Sequence, residues 1–458
     1  MRNTLSIIGL VAVLLCGGCQ EAFSYTGGTM PDRPQEPSDG VQQGTTEYLV
    51  SSTAELSALK NLKAGDVVVW ENGVYENVSI KFSGQGSEGQ EILLKARTPG
   101  QVIFKGKSSV TLYGQFVAAE GFSFTELDTS SQYSVLTCAK GSSNCRFTNC
   151  RIDGSSSEVS AIDSKWVSLY GKHNEVSCCT FLDKRNMGCL LVVWMEDGIV
   201  PEHRILRNKF TRPYTHYDGN GSALNGQESI RIGTSTYSLN DAKCLVQGNW
   251  FFNCHGERAE IISNKACGNI YKDNLFEDSV GTLTLRHGNN CVVSGNIFVS
   301  DGQADVGGVR IIGEGHLVEK NAMLNLTGGA GYNAGICLVK GESNAALNGY
   351  WTVRNVTVSE NVMVGCKNAV IINYGKRSTQ DSCPEQVTFK NNVIISRSSS
   401  AVAVNVLDTP SGNLTWKNNK IFGGTCKGYE PEYESVEPQV EDYSSRIAKI
   451  KGEAGVIW

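Results

Sequence analysis

The 458-residue chain carries 41 lysines and arginines against 46 acidic residues, for a net charge of −5. That acidic balance argues against a nucleic-acid partner, although a local basic cleft on an acidic protein still binds polyanions. Fifty glycines against ten prolines suit many tight turns between short strands.

The N-terminus reads as an export signal. Met1-Arg2-Asn3 gives a positive start, and the apolar run Leu5 to Leu15 is too short for a comfortable membrane span. It ends in Leu15-Cys16-Gly17-Gly18-Cys19, which resembles a bacterial lipoprotein box with Cys19 acylated. Cys16 stands where a small or aliphatic residue is commoner, so plain secretion remains the alternative. The expectation is an exported protein, either an outer-membrane lipoprotein or a periplasmic or extracellular one, touching a membrane only through Cys19. Residues 20–46 are rich in Gly, Ser, Pro, Gln and Thr and read as a flexible linker.

No second linker of that composition follows, so 47–429 is expected to form one domain and 430–458 a C-terminal cover or tail. A Ser/Thr cap signal followed by apolar residues at helical spacing predicts a helix within Ser52 to Asn61, closing the N-terminal end. A monomer is expected.

Sixteen cysteines in an exported chain suggest disulfides, whose pairing is left open. Cys150, Cys254 and Cys291 each follow an Asn near a repeat position and read instead as small buried side chains. Cys145/Cys150 and Cys178/Cys179 match no zinc spacing.

Internal repetition is the strongest architectural signal. Asn, any residue, then an apolar residue recurs at Asn208, Asn249, Asn274, Asn296, Asn321, Asn361, Asn392 and Asn419. The intervals are 41, 25, 22, 25, 40, 31 and 27 residues, with short strand-like runs between. Three short strands and their turns fill about two dozen residues, which is one rung of a solenoid. The predicted fold is all-β: a single-stranded right-handed parallel β-helix with an N-terminal capping helix and a ladder of Asn side chains at one turn. The longer intervals are loops inserted at one corner, where binding faces are commonly built.

The residues that carry chemistry lie between 225 and 316. Asn225-Gly-Gln-Glu-Ser-Ile-Arg-Ile-Gly233 is followed by Arg258-Ala-Glu-Ile-Ile-Ser-Asn-Lys265, then Leu285-Arg-His-Gly288, then Gly308-Val-Arg310. Lys265 to Arg286 is 21 residues and Arg286 to Arg310 is 24, about one rung each. Residues one rung apart sit above one another, so Lys265, Arg286 and Arg310 are expected in a vertical basic stripe, with Arg231 and Arg258 nearby. Like charges repel unless a polyanion is bound, so such a stripe points to an acidic ligand.

These four segments, in this order and spacing, resemble polysaccharide lyase family six, which contains chondroitinase B and many bacterial alginate lyases. Gly65-Asp-Val-Val-Val-Trp-Glu-Asn-Gly-Val-Tyr75 is similar to that family's first rung. The likeness runs from about 47 to 400. It implies β-elimination on a uronate: the C5 proton is removed, the 4-linked oxygen is expelled and an unsaturated sugar is left. It implies Lys265 as base, Arg286 as acid or transition-state partner, Arg310 on the substrate carboxylate, and His287 beside Arg286. Cations on that carboxylate are what the chemistry requires, because proton removal otherwise builds a dianion. A guanidinium hardly ever gives up its proton, so Arg286 reads as well as a stabiliser, with water or His287 delivering the proton.

The resemblance also implies calcium, held in well-known members by an Asn and a Glu-x-Glu pair just before the Lys. Asn225 and Glu260 match the first and last ligands, but Arg258 stands at the middle position. Glu257 is next door and, by strand alternation, is expected to point away. No metal is therefore expected: Arg258 is read as replacing the ion, pairing with Glu260 and offering its charge to the substrate. An acidic polysaccharide is the expected partner, alginate before chondroitin or dermatan sulfate, with a slight lean to mannuronate-rich blocks. A polygalacturonase-like hydrolase needs clustered carboxylates, and none is found on successive rungs; Asp273 and Asp278 read as structural. A non-catalytic glycan-binding β-helix explains the stripe but not the ordered segments.

Overall fold

The structure, a computed structural model, describes residues 46–408 and 413–458. The export signal, the Cys19 box and nearly all of the linker lie outside them. Among the described residues the chain winds into three parallel sheets of 14, 13 and 13 strands. After the first strand, which pairs with the second, each strand pairs with the one three places further on, so every circuit lays one strand on each sheet. This is the right-handed parallel β-helix that the repeat predicts.

The repeated Asn is what makes one corner. The residue before each ladder Asn has left-handed backbone: Arg207, Gly248, Asp273, Gly295, Lys320, Glu360, Asn391 and Asn418 all have φ between 51° and 69°. Each Asn Nδ2 then donates to Oδ1 of the next, at 2.8–3.0 Å, from Asn208 through to Asn419. The long intervals leave this corner intact because their extra residues leave the rung elsewhere. Earlier in the chain, sulfur takes the same place. Cys150 N–H lies 3.4 Å from Cys179 Sγ, and Cys179 N–H donates to Asn208 Oδ1 at 2.9 Å. The Asn before Cys150, Cys254 or Cys291 is itself the left-handed residue of its turn, as its short polar side chain allows. All fourteen described cysteines are free thiols.

Inside, like stacks on like. Phe181, Phe210, Phe251, Phe276 and Phe298 stack at 4.5–5.2 Å between centroids, the spacing of neighbouring strands. Met323 and Met363 continue the file.

The helix Thr53–Ala58 forms as predicted, with Ser52 Oγ accepting from Glu55 N–H at 3.2 Å and Leu56 reaching the core. The C-terminal segment continues past the last rung. Glu434 N–H adds to the last rung through Ile421 O at 2.8 Å. Beyond it the helix Ser444–Glu453 lies on the flank, with Tyr443 and Ile450 against Leu275, Ile297 and Ala322. The chain then runs back toward early rungs, where Trp458 Nε1–H donates to Asn149 O at 3.2 Å.

Candidate functional site

The basic residues project from one sheet. Its strands Ile230–Ile232, Glu260–Lys265, Gly281–His287 and Val306–Ile311 pair in order. Ile230, Ile262, Leu283 and Val309 point inward and are fully buried. Alternation therefore sends Arg231, Ser263, Thr284 and Arg310 outward, and register places those four in one column. Lys265 and Arg286 occupy the next outward position along their strands. A register shift between Asn264 and Lys265 pairs Lys265 with His287. The expected vertical stripe is thus two neighbouring columns, with Arg310 over Thr284 rather than over Arg286. Residue spacing missed this because the turns between strands differ in length from rung to rung.

Asn264 braces the strand end that carries Lys265. Its side-chain amide points inward and donates to Ala266 O at 3.0 Å and His287 O at 2.6 Å. Its oxygen receives Asn269 Nδ2 at 2.8 Å and the Tyr271 hydroxyl at 2.7 Å. Four bonds on one buried amide fix the turn beyond Lys265.

Arg286 is mostly engaged. Nη1 donates to Gly349 O at 2.8 Å and Nη2 to Asn348 O at 3.1 Å, and Nη1 also lies 3.4 Å from His287 Nδ1. Its pKa lies below the ordinary value, chiefly through burial, with Arg310 and Arg377 adding to the effect. His287 is buried, bonds Ser235 Oγ at 3.2 Å, and is held down to about 3 by burial and then by Arg286 and Lys265. It is a neutral imidazole at any ordinary pH.

The acidic side corrects two expectations. Glu260 pairs with Arg310, Nη1 to Oε1 at 3.6 Å, and not with Arg258. Arg258 turns to Asp305 at 3.3 Å, at the exposed rim. Arg258 has left-handed backbone, φ +61°, before the strand begins at Glu260. Strand alternation therefore does not apply at Glu257, which lines the same cleft as Asn225 and Glu260. Glu257 Oε2 accepts Gly226 N–H at 2.8 Å. Burial, then Glu228 and Glu260, push its carboxyl well above the ordinary range.

Asn225, Glu257 and Glu260 are oxygen donors of the kind calcium takes, yet they do not fit as its site. One Glu257 oxygen is already bonded to a backbone N–H, and Glu260 faces the Arg310 guanidinium. Among the described residues no three His, Cys, Asp or Glu side chains converge on a metal position.

The cleft has a volume of about 380 Å³. Several of its walls went unread in the sequence: Tyr332, Tyr350, Tyr374, Lys376 and Arg377 face it together with Arg286 and Arg310. Arg286 and Arg377 stack on the Tyr350 ring at 4.3 and 4.9 Å, and Arg310 on Tyr332 at 5.1 Å. Tyr332 and Tyr350 come from the 40-residue interval and Tyr374 to Arg377 from the 31-residue interval. Those long intervals were the available signal. Lys265 is not among the residues that line this cleft, but its charge acts on Glu228, Glu257 and His287. Arg231 stacks on Trp194 at 5.4 Å, towards earlier rungs.

The family model described as chondroitinase B matches residues 50–438. The chain belongs to the chondroitinase B family. Among solved structures it is similar to the PL6 family alginate lyase AlyGC, at 29% identity and a TM-score of 0.77. That match covers 90% of this chain but 56% of AlyGC, so the chain spans little more than half of that relative. A mannuronic acid specific family 6 lyase from human gut microbiota is 26% identical, with a TM-score of 0.72, 90% of this chain and 96% of the other covered. A PL6 lyase from Pseudopedobacter saltans, 22% identical with a TM-score of 0.71 over 90% and 99% of the two chains, shares the fold. A comparison with curated protein sequences finds no match.

Proposed function

We propose that this chondroitinase B family member is a polysaccharide lyase that cleaves a uronate glycan, alginate first and mannuronate-rich blocks in particular, by β-elimination. One observation carries the reading: Arg286, Arg310, Lys376 and Arg377 face one cleft, and Glu260 within it is already paired with Arg310. Such a cleft takes a polyanion, and its two carboxyl groups are engaged, Glu257 with Gly226 N–H and Glu260 with Arg310, rather than free for hydrolysis. Lys265 takes the C5 proton as the C5–H pair forms the C4=C5 bond and the C4–O4 bond breaks. Arg310 and Arg377 hold the uronate carboxylate while charge develops. No step runs through a metal. The substrate preference draws on the two relatives above 25% identity, described as an alginate lyase and as mannuronic acid specific.

A panel of polymannuronate, polyguluronate and dermatan sulfate, read by the ultraviolet absorbance of the new double bond, tests the proposal. Polymannuronate gives the fastest signal, and Lys265→Ala abolishes it. A signal on dermatan sulfate alone transfers the activity to that glycan. Binding with no absorbance change on any of them overturns the lyase reading.

The chain is further proposed to be an exported monomer anchored through Cys19. Among the described residues no helix is long and apolar enough to cross a membrane. Incorporation of labelled fatty acid that persists in Cys19→Ala would refute the anchor.

A further inference from the structure

We propose that the Tyr350 hydroxyl is the proton donor to the departing glycosidic oxygen. The inference rests on the lyase reading and adds to it the acid that β-elimination needs. The other candidates are engaged elsewhere, Glu257 with Gly226 N–H at 2.8 Å. Arg286 directs one N–H of each terminal nitrogen to the carbonyls of Asn348 and Gly349, and a guanidinium is a poor proton source. Its bonds hold the loop that delivers Tyr350. His287 is neutral, and its ring nitrogens face Ser235 and Arg286. Glu260 is tied to Arg310.

Tyr350 is differently placed. Its backbone N–H is anchored on Glu342 Oε2 at 3.2 Å, and the Ser238 hydroxyl, shared between Ser235 O at 2.6 Å and Leu347 O at 3.0 Å, lies against the same loop. Arg310 Nη2 donates to the phenol oxygen at 3.4 Å, which leaves the phenol's own proton available to the cleft. Arg286 and Arg377 lie on its ring at 4.3 and 4.9 Å. As the proton leaves, charge on the phenol oxygen develops beside three guanidinium groups already in place.

The step balances within the site. Lys265 takes the C5 proton, the C5–H pair becomes the C4=C5 π bond, and O4 leaves with the C4–O4 pair and collects the Tyr350 proton. The phenolate regains a proton from water, and the Lys265 ammonium releases one.

Tyr350→Phe tests this with the hydroxyl alone removed and folding checked by circular dichroism. On polymannuronate kcat is expected to fall about 100-fold or more, within the range of general-acid effects, while KM stays within about threefold. On a methyl 4-deoxy-4-fluorouronide, whose fluoride leaves unprotonated, the loss shrinks to about threefold or less. The proposal is overturned by kcat within about threefold of wild type, by an equal loss on both leaving groups, or by a change in KM alone. Wild-type silence on every uronate glycan instead brings down the lyase reading, and this inference with it.

Discussion

Arg310 Nη1 lies 3.6 Å from Glu260 Oε1, and both side chains are only 9% exposed. Burial works against the Arg310 charge, but Glu260 and then Tyr350 outweigh it, and the guanidinium's pKa ends above its ordinary value. A cation this deep, next to the cleft, neutralises the inner acid and remains available to a substrate carboxylate.

Removing one partner of that pair strands the other. Arg310→Ala leaves Glu260 beside Glu257 and Glu228 with its counter-ion gone, and is expected to destabilise the protein by about 3–5 kcal/mol. Arg310→Met combined with Glu260→Leu recovers most of that stability in urea titrations yet stays inactive. A single variant as stable as wild type would remove the pair from the account of this site.

Arg258 should matter far less than its place in the sequence suggests. Its partner Asp305 is at the rim, with the two side chains 35% and 53% exposed, and such pairs contribute about 0–1 kcal/mol. Arg258→Ala is expected to keep kcat on polymannuronate within a few-fold, whereas Arg310→Ala does not. Chelator treatment leaves the rate unchanged and added calcium leaves the melting temperature unchanged. Activity that vanishes with chelator and returns with calcium would mean that Asn225, Glu257 and Glu260 rearrange into a metal site.

The Asn ladder predicts a graded stability series. Buried Asn321 donates to Asn361 Oδ1 at 2.9 Å and Val293 O at 3.0 Å, and its oxygen accepts from Asn296. Asn321→Ala leaves buried groups unmatched on both sides and should cost about 2–3 kcal/mol. Asn419 ends the ladder and is half-buried, so its replacement should cost about 1 kcal/mol or less. Equal losses at both positions would contradict the ladder's role.

What was legible follows from what repeats. All eight Asn positions lie on the ladder, because a corner needing a left-handed residue and a buried amide imposes itself on every rung. The four ordered segments placed Lys265, Arg286, His287 and Arg310 on neighbouring strands of one sheet, but their spacing did not give the columns, because the turns between strands vary in length. The partner of Arg258 was not legible: one left-handed residue before Glu260 ended the alternation on which the Glu257 argument stood. Tyr332, Tyr350 and Arg377 were hidden because inserted loops have no period, so their length marks a cleft but not which side chains enter it.

Acid sensitivity offers the last test. His203 and His316 are fully buried at a second corner and held down to about 3 and about 4, mainly by burial. His316 Nδ1 accepts Cys291 N–H at 3.2 Å while Nε2 faces Ile312 O at 3.0 Å, so a second ring proton has no acceptor. The unfolded chain takes up protons at these histidines as pH falls through about 6.5, but the folded chain does so only near 3–4. Their contribution is therefore complete above about pH 6.5 and is lost on acidification, by up to about 1.4 kcal/mol per pH unit per histidine. Glu228 and Glu257, raised by burial, act in the opposite sense. His316→Asn places at that corner the residue type that Asn269 already supplies there, with Asn269 Oδ1 accepting Cys244 N–H at 2.8 Å. Urea midpoints measured from pH 8 to pH 4 should fall less steeply for the variant than for wild type. Parallel curves would show that His316 does not carry the acid sensitivity.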